Sequence, residues 1–162
     1  MTVGGGTAAT GSRADPFAAF NFWVEIDGLI VGGFTEVSGL QLETETTPVR
    51  EGGQNGYAHV LPGPARYPQN LVLKRGLTSA DALWEWCQGV AEGRIVRRNG
   101  TIYLLKVDGE TALAWNFRDA YPVRWTGPDL RGDSSAVAFE AVELAHRGIA
   151  RAAAGSSPRT RG

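Results

Sequence analysis

Residues that could do chemistry are few in this sequence of 162 residues, and one pair stands out by its spacing. Glu43 and Glu45 lie two positions apart in a stretch with strand-like alternation, so their carboxylates would project from one face, together with Gln41. Two carboxylates on one face could serve as the acid and base of a hydrolase. Neither has the apolar neighbourhood that a general acid needs, so the simpler interpretation is the wet face of a sheet.

The single cysteine and the two histidines form no nucleophile or metal motif. Cys87 falls on the apolar side of a predicted helix, where a thiol is buried and inert. His59 lies in a segment rich in glycine and proline, and His146 lies at the end of a predicted strand. A zinc site needs three or four ligands at workable spacing. The sequence therefore predicts no catalytic residue, no metal site and no cofactor.

Three other features have simple structural explanations. The glycine-rich run at 52–56 is followed by no Lys-Ser/Thr pair and no helix, so it is a flexible or partner-ordered loop and not a phosphate loop. The tripeptide Arg131-Gly132-Asp133 is best explained as a tight turn. Core packing or subunit contact explains the five tryptophans better than a ligand pocket does.

Composition fits one globular domain and excludes several classes of protein. The chain is 43% hydrophobic and 20% charged, which allows a sizeable core. A formal net charge of -1 gives no basic footprint, so specific nucleic-acid binding is not expected. The N-terminus has neither a basic start nor an apolar stretch, so we expect no secretory signal and assembly in the cytoplasm.

Alternation of apolar and polar residues predicts strands over most of the chain. The first strand covers 20–26 and ends in an Asp27-Gly28 turn, and a long extended segment follows over 29–47 with a bulge or bend at one of its glycines. In that segment Leu40 and Leu42 alternate with the polar positions, so we expect the two leucines on the buried side. Residues 48–70, rich in glycine and proline, are predicted to form a long functional loop.

The second half of the chain contains one predicted helix and further strands. Helical spacing covers 79–91 and ends at Gly93, and a hairpin follows over 95–107 and 111–118. Pro122, Gly127 and Pro128 bracket a bend. The last strand, 136–146, changes its apolar parity, which indicates a bulge or a strong twist near residues 140–142. We therefore expect a mainly β fold with one flanking helix: an antiparallel β-barrel or sandwich of six to seven strands over 15–149, with flexible tails at 1–14 and 150–162.

Ordered motifs over residues 15–149 resemble the tail tube (inner tube) protein family of contractile phage tails and extracellular contractile injection systems. Each motif is short, and their order and spacing together are specific. They are Asp15-Pro16, Phe20-Asn21-Phe22-Trp23-Val24-Glu25-Ile26-Asp27-Gly28, Gly33-Phe34-Thr35-Glu36-Val37-Ser38-Gly39-Leu40, Arg50-Glu51-Gly52-Gly53-Gln54-Asn55, Leu61-Pro62-Gly63, Leu73-Lys74-Arg75-Gly76, Leu83-Trp84 with Trp86, Trp125-Thr126-Gly127-Pro128, Glu143-Leu144 and His146-Arg147-Gly148.

The resemblance implies a structural subunit and not an enzyme. Six subunits would form a ring whose strands close one barrel around a lumen, and stacked rings would form a tube that a contracting sheath drives through a target envelope. The implied partners are further copies, the sheath, baseplate and tube-terminating proteins, and possible lumen cargo. The particle would be a phage virion or a phage-tail-like particle, possibly released from the cell, and the subunit a main tube protein or a minor one near the baseplate.

Three groups of residues are candidates for assembly contacts on this interpretation. The lumen-facing group is Gln41, Glu43 and Glu45. The group for inter-subunit or ring-stacking contact is Arg50, Glu51, Gln54, Asn55, Tyr57 and His59. The sheath-facing group on the helix is Glu85, Gln88 and Glu92.

Two other functions remain open from the sequence. The tryptophans and the barrel pattern would also fit a monomeric β-barrel that binds a small ligand. Such a protein would run near its monomer mass of 17.3 kDa on a sizing column, whereas a tube subunit would form rings or filaments. The second is the hydrolase that would use Glu43 and Glu45.

Overall fold

The computed structural model describes residues 22–27, 29–49, 59–76, 82–133, 138–153 and 155, which form ten strands and one helix. In chain order they are β1 (Phe22–Ile26), β2 (Leu29–Phe34), β3 (Glu36–Ser38), β4 (Glu43–Val49), β5 (His59–Arg66), β6 (Leu71–Gly76), α1 (Ala82–Ala91), β7 (Arg98–Leu105), β8 (Thr111–Thr126), β9 (Phe139–Ala145) and β10 (Gly148–Arg151). The strands are more numerous than six or seven because the extended segment 29–47 contains three of them, β2, β3 and most of β4.

The main sheet is antiparallel throughout and one bent segment connects its two ends, which confirms the predicted antiparallel barrel or sandwich. Its strand order is β2-β1-β7-β8-β9-β6-β3, and β10 pairs with β8 beside this path. The terminal strands of that order, β2 and β3, are separated in the chain by Thr35 alone. The backbone N–H of Thr35 donates to the carbonyl oxygen of Lys74 in β6 at 2.9 Å, so one bent segment joins both ends of the sheet.

Strand β8 is long because it turns a corner of the barrel. Its first part pairs with β7 and β10, and its last part pairs with β9. The corner lies at Asp119, which has a positive φ of 51° and whose N–H donates to Oδ1 of Asn99 at 2.9 Å. An extra residue between Pro122 and Arg124 shifts the register against β9. The strand continues past Pro122 to Thr126, so of the three residues predicted to bracket a bend only Gly127 and Pro128 lie outside it.

Of the bulge or strong twist predicted for the last strand, the bulge does not occur in its pairing with β6. Strand β9 pairs with β6 without any shift, and its buried positions are Glu140, Val142 and Leu144. The change of parity in the sequence arises because a charged residue occupies the first of these buried positions. Glu140 is tolerated there because it pairs with Arg75, which is also buried.

The helix α1 packs on β8 and β2 at the side of the barrel. Leu83 and Trp86 enter the core, and the indole Nε1–H of Trp86 donates to the carbonyl oxygen of Val96 at 2.9 Å. The helix ends as predicted: Gly93 adopts a φ of +89° and its N–H donates to Val90 at 3.0 Å. Its predicted start at residue 79 lies outside the described residues.

The loop predicted for 48–70 is largely a β-hairpin, so that prediction is wrong for its described part. Strands β4 and β5 pair antiparallel in a two-stranded sheet separate from the barrel, and we call these two strands the arm. Pro48 and Pro62 lie within the pairing. A two-stranded ribbon tolerates them because each strand has an outer edge where no N–H is needed. Residues 50–58, between the strands, are not described.

Candidate assembly surfaces

The described residues offer no catalytic arrangement. They contain no group of three or more His, Cys, Asp or Glu side chains that could hold a metal ion. Burial, with a smaller contribution from the charge of Glu140, raises the pKa of Cys87 to about 11, so its thiol is neutral at ordinary pH. No helix among these residues is long and apolar enough to cross a membrane. The candidate functional regions are therefore surfaces.

Both faces of the arm are open to solvent in the single chain. Gln41 and Glu43 are exposed and Glu45 is half-buried. On the alternate positions Leu40 is 38% exposed and Leu42 is 64% exposed, so the prediction that these leucines form a buried side is wrong for the subunit alone. The reason is that β4 pairs with β5 and with no strand of the barrel. Exposed leucines beside such a ribbon are typical of a surface that another chain covers.

The polar side of the arm is less acidic than the sequence alone indicates. Glu43 stands opposite Arg66 in the register, and the Glu45 carboxylate accepts from Nη2 of Arg66 at 2.8 Å. Both members of this ion pair are well exposed, which limits its strength. Arg66 was missed as a candidate because the sequence did not predict that its segment is a strand paired with β4.

Two short connections fix the base of the arm to the barrel. At Gly39, which has a φ of +88°, a Cβ atom would lie only 1.9 Å from the carbonyl oxygen of Asn70, so only glycine fits. In the other connection, Nε2–H of His146 donates to the carbonyl oxygen of Gln69 at 3.1 Å, and the Asn70 amide donates to Glu143 at 2.8 Å. His146, which the sequence left without a role, thus holds the arm in place.

The helix presents a polar strip with an aromatic border. Glu85, Gln88 and Glu92 are all exposed, and the Gln88 amide donates to Glu92 at 3.3 Å. Trp84, which is 46% exposed, meets Trp125 edge to face at a centroid distance of 4.7 Å. An exposed tryptophan fixed by a second one is a feature of contact surfaces.

Strand β10 leaves an unpaired edge. Within the described part of the chain it pairs with β8 alone. A cleft of about 540 Å³ lies beside it, lined by Tyr67, Arg118 and Ile149 among others. Unpaired backbone groups along such an edge can accept a strand from another chain.

Most of the residues predicted for inter-subunit or ring-stacking contact lie outside the described part of the chain. Arg50, Glu51, Gln54, Asn55 and Tyr57 are not among the described residues. For His59 the structure gives a backbone position, at the start of β5 opposite Val49. The arm therefore carries the segment in which this group lies.

The sequence model of the family described as T4-like virus tail tube protein gp19 matches residues 18–150. A search of curated protein sequences found no match. A chain of the anti-feeding prophage cap, described as a tube terminating cap, is 25% identical with a TM-score of 0.75, over 91% of this chain and 98% of its own. A chain of the six-fold symmetrised anti-feeding prophage baseplate is also 25% identical, with a TM-score of 0.67 over 93% and 99% of the two chains.

A third similar structure adds to the likeness in fold. It is a chain of the PVC sheath–tube complex of an extracellular contractile injection system in its extended state, 24% identical with a TM-score of 0.72 over 86% of this chain and 93% of that one. The family match covers most of the barrel, all of the helix and the arm. The chain belongs to the family of T4-like virus tail tube proteins, and it is a structural protein of a phage-tail-like inner tube.

Proposed function

We propose that six copies of this chain form a ring and that the rings stack into the inner tube of a contractile injection apparatus, which a sheath drives through a target envelope. The observation that carries this proposal is the arm: a hairpin with both faces exposed, fixed to a closed barrel that does not need it. A six-fold symmetrised baseplate contains a chain of similar fold at 25% identity, matched over 93% of this chain and 99% of its own, which supports the number six.

A ring built from strand edges suits a tube that must not shear. The open edge of β10 and the outer edges of the arm are the unpaired edges that neighbouring copies would use. Pairing them around a ring joins subunits by backbone hydrogen bonds and leaves no edge exposed to other proteins. Head-to-tail stacking of such rings gives an open filament of any length.

The three predicted groups keep their roles in this proposal. Gln41, Glu43 and Glu45 face the lumen, with Arg66 added beside them; the helix residues Glu85, Gln88 and Glu92 face the sheath. The segment at the end of the arm, with Arg50, Glu51, Gln54, Asn55, Tyr57 and His59, contacts a neighbouring subunit or ring. An arm whose base is held near Gly39 and His146 can reach such a neighbour, which supports this assignment.

The proposed partners follow from the similar structures. These come from a sheath–tube complex, a baseplate and a tube-terminating cap, so we propose that this chain meets a sheath, a baseplate and a terminating protein in the same order. The subunit has no enzymatic role of its own and binds no nucleic acid specifically. We also propose that it assembles in the cytoplasm and leaves the cell as part of the finished particle.

Electron microscopy of the purified protein tests the proposal. We expect six-fold rings, and short tubes at high concentration. A compact monomer at every concentration, with no ring in any image, would refute the proposal and restore the ligand-binding barrel as an alternative. Cross-linking within assembled particles tests the facing of the helix: contacts from Glu85 to the sheath support it, and contacts to lumen cargo contradict it.

Deleting residues 54–60 tests the arm separately. The deletion removes the end of the hairpin, including the pairs formed by His59 and Val60, and leaves the barrel intact. We expect a folded subunit with weaker ring closure or stacking, seen as fewer and shorter tubes. Tubes of normal length from this variant would exclude the arm from assembly.

A further inference from the structure

The turn between β7 and β8 carries one exposed apolar side chain and one carboxylate, Asp108, whose described partner is the backbone N–H of Glu110 at 2.9 Å. We call residues 106–110 the tip. Its backbone is closed by hydrogen bonds from Lys106 N–H to Glu110 at 2.8 Å and from Gly109 N–H to Lys106 at 2.9 Å. The Lys106 ammonium pairs with Glu110 at 3.4 Å, which leaves the carboxylate of Asp108 in no ion pair among the described residues. Val107 beside it is 93% exposed.

The segment before β7 has the complementary features. We call residues 94–97 the receiving segment. Ile95 is 56% exposed and Val96 is 47% exposed, although the Val96 carbonyl is held by Trp86. Arg94 pairs with Glu92 at 2.7 Å, whereas Arg97 makes no ion pair within the described structure. The Arg97 guanidinium lies 4.7 Å from the ring centroid of Tyr121, which holds it in one orientation.

The tip and the receiving segment cannot meet within one subunit. They flank the eight residues of β7, so they lie about 26 Å apart at ~3.3 Å per residue, at opposite ends of the strand. Among end-to-end contacts, a two-fold one would bring tip to tip, with Asp108 facing Asp108. The complementary contact is head to tail, and a head-to-tail contact that does not close produces a filament.

The direction of β7 in the ring decides where its two ends lie along the tube. If rings close through strand edges, the strands run along the tube axis with a tilt of roughly 35–45°. The two ends of β7 then face the rings above and below. We propose that the tip of each subunit docks on the receiving segment of a subunit in the next ring, with Asp108 against Arg97 and Val107 against Ile95 and Val96.

This inference rests on the proposed ring assembly, and it assigns a stacking contact separate from the arm. A contact that repeats in every subunit of a ring gains strength from its multiplicity, so a modest contact in each copy holds two rings together. Part of its strength is electrostatic and is screened over ~8 Å at physiological salt, so stacking should weaken as salt rises.

Charge reversal in two separate proteins tests the contact. Preformed rings of Asp108→Arg have a basic tip and a basic receiving segment, and rings of Arg97→Asp are acidic at both ends. We expect each protein alone to form normal rings. Multi-ring stacks should be about tenfold fewer than with the unaltered chain, because like charges meet in every copy. A one-to-one mixture of the two ring preparations should stack again, since each tip then meets a receiving segment of opposite charge. Asp129→Arg, a charge reversal at an exposed position outside the three candidate groups, is the matched control and should stack normally.

Sedimentation velocity and electron microscopy count the rings and the stacks. Recovery in the mixture but in neither protein alone supports the proposal. Normal stacking by either single variant, or a mixture that stays as single rings, overturns it. Loss of the rings themselves would place the contact between neighbours within a ring and would also overturn it. If the unaltered chain forms no rings, the proposed assembly fails instead, so the two failures are distinguishable.

Discussion

Two arginine–glutamate ion pairs, Arg75–Glu140 in the barrel and Arg66–Glu45 in the arm, lie in opposite surroundings. In the barrel, Nε of Arg75 lies 2.5 Å from Oε1 of Glu140, and the side chains are only 6% and 7% exposed. In the arm, Nη2 of Arg66 lies 2.8 Å from Oε2 of Glu45, and the side chains are 62% and 42% exposed. The geometry is similar, but only one pair has lost its water.

The difference separates what folds the subunit from what the subunit offers to other copies. The barrel pair is part of a buried network, because Trp125 donates to Glu140 at 3.1 Å and Arg75 lies over the Phe34 ring at 5.4 Å. The arm pair is in water and is weakened by it. The barrel is thus stabilised by a buried polar network within the single chain, whereas the exposed ion pair of the arm adds little stability.

Removing the buried carboxylate should have the largest effect. Glu140→Ala leaves the Arg75 charge buried without its counter-charge, so we expect the free energy of unfolding to fall by about 3–5 kcal/mol. Urea denaturation measures the change. Glu45→Ala in the arm is the matched control and should cost less than about 1 kcal/mol. Equal losses in the two variants would contradict the division between barrel and arm.

A second test compares a thiol in the barrel with a thiol in the arm. Because burial raises the pKa of Cys87 to about 11, its thiolate fraction at pH 8 is about two orders of magnitude below that of a free cysteine. We expect a thiol reagent to label Cys87 about a hundredfold more slowly than the exposed cysteine of a Cys87→Ser/Thr46→Cys variant. The Cys87 rate should rise about tenfold per pH unit until the pH nears 11, since only the thiolate reacts. Fast labelling of Cys87 in the folded protein would show that its thiol is not buried between the helix and the barrel core.

Packing density provides a third, smaller contrast. A Cβ atom on Gly100 would lie 2.3 Å from Cζ of Phe117 and 2.6 Å from the backbone oxygen of Glu25. We expect Gly100→Ala to lower the stability by about 1–3 kcal/mol, because β7 and β1 must separate to admit the methyl group. Gly132→Ala, where nothing lies within 4 Å, is the control and should leave the thermal midpoint unchanged. A tolerated Gly100→Ala would show that the barrel wall is looser than its packing indicates.

The sequence predicted the parts of the fold that follow from local periodicity. The alternation in β1 and the helical spacing around Leu83 and Trp86 reflect contacts that each element makes with one apolar core. Such local patterns allow a strand or a helix to be predicted from the sequence. The turn at Gly109 and the helix end at Gly93 were legible because both need a positive φ. The order and spacing of the short motifs predicted the tail tube family, and the match to the family's sequence model confirms it.

The errors share one physical origin: they concern residues whose partners are distant in sequence. Glu140 looked like a break in the strand because its partner, Arg75, lies in another strand and could not be known from spacing. The arm looked like a loop because its prolines are acceptable only in a two-stranded ribbon with outer edges. Leu40 and Leu42 were expected to be buried because alternation indicates two faces but not what covers them.

The smallest expected effect on stability belongs to the arm pair, which should act on the lumen instead. Neutralising Arg66 or Glu45 should change the free energy of unfolding by less than about 1 kcal/mol, because both side chains are exposed. In a six-fold ring, Arg66→Gln removes six positive charges from the lumen wall, and Glu45→Gln removes six negative ones. The first change makes the wall more acidic, so the tubes should retain less of a short, fluorescent single-stranded DNA, and the second should make them retain more. Both differences should shrink at high salt, where screening acts over only ~3 Å.

The measurement is the DNA recovered with pelleted tubes of equal length, and Gln88→Ala on the helix is the control. Equal retention by the two variants at low salt would mean that the polar side of β4 does not face the bore, whereas a large loss of stability would mean that the arm belongs to the folding unit after all.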